Sequence, residues 1–504
     1  MRSMESKRVL VLGLGSSGSA AAALLRRRGA RVVAVDSADT DALRWQAGRL
    51  RQQGAEVLLG TKQFPAGEFD FVVTSPGVPP TNPILLEALR RSIPVMGELE
   101  FGFQQSLCLN IAITGTNGKT TTTELVERML QQNQIKTIAA GNIGQAVCEV
   151  VDKTADLDFL TLEVSSFQLE TIQFFRPVIA VLLNLTPDHL DRYPHMEDYI
   201  RAKARIFTNQ QAFDWAIIQS EALAKLKALD VQIPSKIITF STTDTTADIY
   251  LDRGLLISRM EGWAGPLLDM DNCRLRGPHN AENLMAALAV GRVLRIGLSG
   301  MVESLKTYEP AAHRCEVVAE IDGVTYVNDS KATNLDAVHK ALLSIPATQE
   351  NHPNVWLIAG GRDKALDFHE IAPLLTRKVK GAFLIGETRE KIQSAWSLFT
   401  RCTLMDSLTE AVEEAARRAK PGDVVLLSPA CASFDQFRDY KHRGEVFRQA
   451  VKNLQNQRSA PGGGTSGPSN GAGPLSDPYN NNNDDEFNQS RASGRARELS
   501  GARI

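Results

Sequence analysis

Twice in this chain a short run of branched apolar residues ends in a glycine turn that opens into a helix-period segment, and this arrangement restricts the fold more than any other feature. The first runs through Arg8–Leu12, the turn Gly13-Leu14-Gly15-Ser16-Ser17-Gly18, a helix through Arg28 and a strand Arg31–Val35. The second runs through Asn110–Thr114, the turn Gly115-Thr116-Asn117-Gly118 and a helix Thr120–Gln132. Strand, tight turn and helix in this order form the unit of a parallel sheet covered by helices. Further apolar runs at Phe71–Thr74, Val95, Phe159–Leu162, Val178–Leu183, Trp215–Ile218, Lys236–Phe240, Val355–Ile358, Ala382–Ile385 and Val424–Leu427 extend the pattern. Between them, 248–276 reads as shorter strands with turns, and Ala281–Leu294 as a helix closing the second domain. Asp322-Gly323 between Cys315–Glu320 and Val324–Val327 reads as a two-residue hairpin turn.

At 504 residues the chain is long enough for roughly three domains. The expected class is α/β: a Rossmann-like N-terminal domain over 1–98, a central phosphate-loop ATPase-type sheet over 99–310, and a Rossmann-like C-terminal domain over 311–455. From 456 to 504 we expect a disordered tail. Gly, Ser, Asn and Pro fill 24 of the 44 positions from Pro461 to Ile504, too little apolar surface to offset ordering entropy. With 56 Lys and Arg against 58 Asp and Glu, the net charge of -2 gives no global basic field for nucleic acid. Any polyanion is therefore held by local groups. Six isolated cysteines, no apolar run near the roughly 20 residues of a membrane span, and no signal-peptide pattern predict a reduced, cytoplasmic protein.

Alone, Gly13-Leu14-Gly15-Ser16-Ser17-Gly18 with Asp36 after the next strand fits a dinucleotide: the backbone approaches a diphosphate and the acid meets a ribose hydroxyl. A nicotinamide oxidoreductase would explain it, and so would a plain tight turn. Gly115-Thr116-Asn117-Gly118-Lys119-Thr120 is more specific. Backbone N–H groups would cradle phosphates, Lys119 would neutralise them and the Thr120 hydroxyl would reach Mg²⁺. Glu163, just beyond a strand, suits the same cation. Asp188-His189-Leu190-Asp191-Arg192-Tyr193, Asp329-Ser330-Lys331-Ala332-Thr333-Asn334 and Gly360-Gly361-Arg362-Asp363-Lys364 also gather polar groups at strand ends. Each could instead be a loop or a helix cap.

Together these motifs resemble the Mur ligase family, ATP-dependent amide-forming enzymes of peptidoglycan assembly. The resemblance spans about residues 7 to 455 and includes Leu162-Glu163-Val164-Ser165-Ser166-Phe167-Gln168-Leu169-Glu170, Gly277-Pro278-His279-Asn280, His313-Arg314 and Ser428-Pro429-Ala430-Cys431-Ala432-Ser433-Phe434-Asp435-Gln436-Phe437. The early motifs are shared with folylpolyglutamate synthetase. The last, with the first glycine turn, points to the D-glutamate-adding branch.

The resemblance implies that the first domain binds a uridine diphosphate sugar through Gly15, Ser16, Asp36, Ser37 and Gly77, with Asn142 and His189 from the central domain. Ala38 stands where the family pattern carries a cation. ATP would fall to Gly115, Thr116, Asn117, Gly118, Lys119, Thr120, Thr121, Asn280, Arg314, Asp329 and Lys331. Two Mg²⁺ ions would be held by Thr120, Glu163, His189 and Lys203, the lysine carbamylated. Thr333, Lys364, Ser433 and the Tyr440 backbone would hold D-glutamate, and Lys119, His189, Lys203 and Arg314 would carry catalysis. The implied partners are UDP-N-acetylmuramoyl-L-alanine, D-glutamate and ATP, handled by a monomer with no nucleic acid and no membrane insertion. Binding motifs spread over three domains imply domain closure.

Overall fold

The computed structural model describes residues 4–190, 192–309, 312–345, 352–363 and 366–459. Strands β1 (Arg8–Leu12), β2 (Arg31–Val35), β3 (Glu56–Leu58), β4 (Phe71–Thr74) and β5 (Val95–Gly97) form a parallel sheet in the order β3-β2-β1-β4-β5. Successive residues of β1 enter different cores: Val9 and Val11 pack with Leu24 and Leu25, whereas Leu10 and Leu12 pack with Ile84. A strand buried on both faces must be apolar throughout, which is why it reads as a continuous run rather than an alternation.

The central sheet contains β6 (Leu109–Thr114), β7 (Thr137–Gly141), β8 (Phe159–Glu163), β9 (Ile179–Leu182), β10 (Trp215–Gln219), β11 (Lys236–Ser241), β12 (Ile249–Asp252), β13 (Leu255–Ser258) and β14 (Gly265–Asp269). Its order is β14-β13-β12-β11-β10-β9-β6-β8-β7, with only β12, β13 and β14 joined antiparallel. On one face, Ile111 and Ile113 meet Leu125, Met129 and Leu284 from the helices Lys119–Gln132 and Pro278–Val293. The chain leaves β6 toward β8 and β7 and returns on the other side at β9. This reversal places a crevice beyond the carboxyl end of β6, where open α/β sheets bind ligands.

The third sheet contains β15 (Glu316–Ile321), β16 (Val324–Asn328), β17 (Val355–Gly360), β18 (Val379–Ile385), β19 (Cys402–Leu404) and β20 (Val424–Leu427), in the order β15-β16-β20-β17-β18-β19. The hairpin β15–β16 turns as expected, with positive φ at Asp322 (51°) and Gly323 (72°).

Several boundaries differ from the sequence reading. Glu163 is the last residue of β8 rather than the residue after it, and Lys119 already belongs to the helix. The short strands β3, β7 and β19 and the helix Leu298–Lys306 were not anticipated. The expected tail is helical at its start, since the helix Tyr440–Ser459 runs past 456. Residues 460–504 lie outside the described residues.

The helix Glu98–Gln105 leads from the first sheet to the second and is pegged by two buried carboxylates. Glu100 accepts from the backbone N–H groups of Gln173, Phe174 and Phe175, and Glu98 accepts from that of Cys148 at 2.7 Å. Full burial raises the Glu98 carboxyl from its ordinary 4.5 to about 7, against the hydrogen bond from Cys148. Between these two pH values the folded chain holds a proton that the unfolded chain has lost, so stability falls as pH rises from about 4.5 to about 7. Glu98→Gln is expected to leave stability unchanged near pH 4.5 and to remove this slope. At pH 8 the gain is roughly 3 kcal/mol. Urea denaturation at the two pH values checks it; an unaltered slope would contradict the assignment.

Candidate functional site

The loop after β6 is built around Gly118, whose φ of +84° starts the helix Lys119–Gln132. A Cβ there would lie 2.3 Å from Asn283 Oδ1, so only glycine fits. Lys119 Nζ donates to the carbonyls of Gly115 (3.0 Å) and Thr116 (2.8 Å), which holds its charge over the loop. Thr120 Oγ1 donates to Glu163 Oε2 at 2.6 Å, and Asn142 Nδ2 donates to Oε1 at 2.7 Å. Burial by itself would raise the Glu163 carboxyl. The charge of Lys119 and the hydrogen bonds from Thr120 and Asn142 outweigh it and hold Glu163 below its ordinary value, ionised.

Lys203 is fully buried on the helix Met196–Ala204, 4.7 Å above the Tyr199 ring, and its Nζ donates to Gly115 O at 2.8 Å. Burial and the nearby Lys119 charge drive its amine well below the usual lysine range. Tyr199 closes the floor by exchanging a 3.1 Å hydrogen bond with Thr116. His189, in a left-handed conformation (φ 56°), rests against Phe167 with ring centroids 4.8 Å apart.

A cleft of about 990 Å³ opens above these groups, with its opposite wall supplied by the C-terminal sheet. Thr116–Thr121, Asn142, Glu163, His189, Lys203 and Asn280 line the central side, and Arg314, Asp329, Lys331 and Thr333 face them. Asp329 is buried. Desolvation lifts its carboxyl to about 7, against hydrogen bonds from Ser428 Oγ and Cys315 N and the charge of Arg314. Lys331 Nζ stands 4.0 Å over the Tyr440 ring.

Other sequence-predicted residues lie elsewhere. Gly15, Ser16, Asp36, Ser37 and Gly77 gather beyond β1, β2 and β4 and do not line this cleft. Gly18 lets the helix Ser16–Arg27 approach the turn, since a Cβ there would sit 1.8 Å from Gly13 O. Asp36 accepts from Leu14 N (2.7 Å) and Ala38 N (2.9 Å), so both oxygens shape the turn. Ser433 is buried beside the cleft-lining Phe434, and Tyr440 O accepts from Ser330 Oγ at 2.8 Å. Lys364 lies outside the described residues.

Three residues escaped the sequence reading. Asn283 lines the cleft, accepts from Thr122 Oγ1 (3.2 Å) and donates to Asn280 Oδ1 (3.1 Å). Its spacing of three from Asn280 on one helix face was the available signal. Tyr199 offered none. The third, Arg443, is completely buried and donates to the carbonyls of Ser330 and Cys431, joining two loops of the C-terminal domain.

The residues present fit Mg²⁺. An ionised buried carboxylate beside a hydroxyl at a phosphate loop is a hard-oxygen donor set. Among the described residues no group of three or more His, Cys, Asp or Glu side chains could hold a metal, so an ion here would also need oxygens from a nucleotide. Among the same residues no helix is long and apolar enough to cross a membrane.

Three family models match the chain: the Mur ligase MurD-like N-terminal domain over residues 7–97, the Mur ligase middle domain over 113–291, and the Mur ligase glutamate ligase domain over 313–431. The UDP-N-acetylmuramoylalanine--D-glutamate ligase of Acidobacterium capsulatum is 39% identical over 452 residues, 89% of this chain and 96% of that one. The enzyme of the same name from Pelotomaculum thermopropionicum is 39% identical over 461 residues, 90% and 99%. The fold is shared with the MurF ligase of Thermotoga maritima crystallised with ADP, at 16% identity, TM-score 0.58, 90% of this chain and 100% of that one. The UDP-N-acetylmuramate-alanine ligase of the same organism matches at 18% identity, TM-score 0.57 and the same coverage. With relatives this similar over nearly their whole length, the chain belongs to the Mur ligase family, in the branch of the UDP-N-acetylmuramoylalanine--D-glutamate ligases.

Proposed function

We propose that this chain joins D-glutamate to UDP-N-acetylmuramoyl-L-alanine at the expense of ATP, giving ADP and phosphate. The observation that carries the reading is the single cleft in which Lys119, Thr120 and Glu163 face Arg314, Asp329, Lys331 and Thr333. On this reading residues 1–98 hold the sugar nucleotide, 99–310 hold ATP and 311–455 bring the amino acid. The alanyl carboxylate attacks the γ-phosphorus and ADP leaves, which converts a poor acyl donor into an acyl phosphate. The amine of D-glutamate then adds to the carbonyl, and the tetrahedral intermediate expels phosphate to leave the amide.

The chain's own groups act on charge and position. Lys119 and Arg314 offset the negative charge that three anionic substrates bring together, and Lys119 follows the transferring phosphoryl group. Backbone N–H groups of the glycine loop orient the triphosphate. Two Mg²⁺ ions would be held by Thr120 with Glu163 and by His189 with carbamylated Lys203, and when bound they supply Lewis-acid screening of the phosphates. Gly15, Ser16, Asp36, Ser37 and Gly77, with Asn142 and His189, would position the sugar nucleotide. Thr333, Lys364, Ser433 and Tyr440 would position D-glutamate. The enzyme works in the cytoplasm, with its ATP, as a monomer that closes over its substrates.

The test is phosphate release from ATP with UDP-N-acetylmuramoyl-L-alanine and, in turn, D-glutamate, L-glutamate, L-alanine, L-lysine or meso-diaminopimelate. Release dependent on D-glutamate and on the sugar nucleotide is expected. Equal release with another amino acid would overturn the substrate assignment.

A further inference from the structure

A set of side chains centred on Asn334 joins the two walls of the cleft and reaches the phosphate loop at Asn117. Asn334 is the N-cap of the helix Leu335–Ser344, where its Oδ1 accepts from Ala337 N at 2.9 Å. Its Nδ2 reaches the central domain, donating to Asp188 Oδ2 at 3.1 Å and Asn117 Oδ1 at 3.3 Å. Asn117 Nδ2 in turn donates to Asn334 Oδ1 at 3.4 Å and to Asp336 Oδ2. The backbone of Asn117 is fixed from behind by Asn184, whose side chain both accepts from Asn117 N (2.8 Å) and donates to Asn117 O (3.0 Å). Asn334 and Asp188 are buried, at 3% and 5% exposure. Donors and acceptors matched in a buried network specify one arrangement, because any other leaves polar groups unpaired.

We propose that Asn334, with Asp188, Asn117 and Asp336, is a positioning latch that docks the C-terminal domain on the phosphate loop. The proposal rests on reading this cleft as the ligase site. The latch touches the phosphate loop at Asn117 and the His189 loop at Asp188, so it sets where Thr333 and Lys331 stand relative to the transferring phosphoryl group. Capping and latching are separable because Asn, Asp and Ser cap helices about equally well. Asn334→Asp keeps the cap but places a carboxylate against that of Asp188. Asn334→Ser keeps the cap but loses the reach. Combining Asn334→Asp with Asp188→Asn exchanges donor and acceptor.

In the full-length chain, steady-state kinetics with D-glutamate are expected to show kcat/KM lowered about tenfold by Asn334→Ser and more by Asn334→Asp, with thermal midpoints close to that of the unaltered chain. The double exchange is expected to recover at least about a third of the loss, a coupling that an isolated cap would not give. Activity lost in proportion to the thermal midpoint, or no recovery in the double variant, would make Asn334 a structural cap and overturn the latch. Unchanged kcat/KM in both single variants would overturn it as well. If the unaltered chain releases no phosphate with D-glutamate, it is the ligase reading that fails.

Discussion

Lys119→Ala is expected to lower ATP-dependent phosphate release by about 10³-fold or more while leaving the fold intact. Removing a preorganised cationic donor from a phosphoryl-transfer site has effects of this order. Two observations place that burden on Lys119. Its Nζ is held over the loop by the carbonyls of Gly115 and Thr116, and its charge is the largest influence keeping the buried Glu163 ionised. The substitution therefore removes one cation and also weakens the carboxylate suited to Mg²⁺, because the Glu163 pKa rises when Lys119 is lost. The loss includes the side-chain hydrogen bonds to the Gly115 and Thr116 carbonyls, each of modest net worth, so the thermal midpoint should move by a few degrees, about 5 °C. Circular dichroism and phosphate release on the same preparation separate the two effects. Near-normal turnover would remove the phosphate-loop assignment.

Lys203→Met is the second large effect: on the proposed reading it removes a carbamate oxygen that would hold Mg²⁺, and turnover is expected to fall about 10²-fold or more. Methionine matches the length of the lysine stem and carries no charge, so the buried site stays packed. The lowered amine pKa has a direct chemical consequence. A protonated amine cannot attack CO₂, whereas the neutral amine adds to it, releases a proton and becomes an anionic carbamate. As pH falls through the folded-state pKa, Lys203 gains a proton and carbamate formation stops, so activity should be lost on the acid side. Stripping CO₂ from the buffers should lower the activity of the unaltered chain, and bicarbonate should restore it. Lys203→Met should respond to neither. Near-normal turnover in that variant, or indifference of the unaltered chain to bicarbonate, would contradict the carbamate.

Much of the architecture was legible because strands buried on both faces are apolar without interruption. Arg31–Val35, Phe71–Thr74 and Val424–Leu427 coincide residue for residue with β2, β4 and β20. The strands that escaped notice are short or weakly patterned. β3 and β19 have three residues each, and β7 (Thr-Ile-Ala-Ala-Gly) carries small residues in place of a branched run. In the site, the loop motif announced itself through Gly118, Lys119 and Thr120, whose types are dictated by local backbone geometry and charge. Lys203 was different. Nothing in Arg201-Ala202-Lys203 distinguishes a buried amine from a surface lysine; that character comes from burial in the packed domain and from the Gly115 carbonyl, 88 residues away in sequence, which accepts from its Nζ. The Asn117–Asn334 contact likewise joins positions 217 residues apart, beyond the reach of any local pattern.

The central claim is that this cleft activates a carboxylate by transferring the γ-phosphoryl group to it. The most direct measurement uses UDP-N-acetylmuramoyl-L-alanine labelled with ¹⁸O in the alanyl carboxylate, with ATP, Mg²⁺ and D-glutamate, and follows the label by mass spectrometry of the released phosphate. Attack by the carboxylate leaves its oxygen bridging carbon and phosphorus, and expulsion of phosphate by the amine carries that oxygen away. One ¹⁸O per phosphate, with amide formed in equal amount, is the predicted result; unlabelled phosphate would show that water, not the substrate carboxylate, receives the phosphoryl group, and would contradict the account.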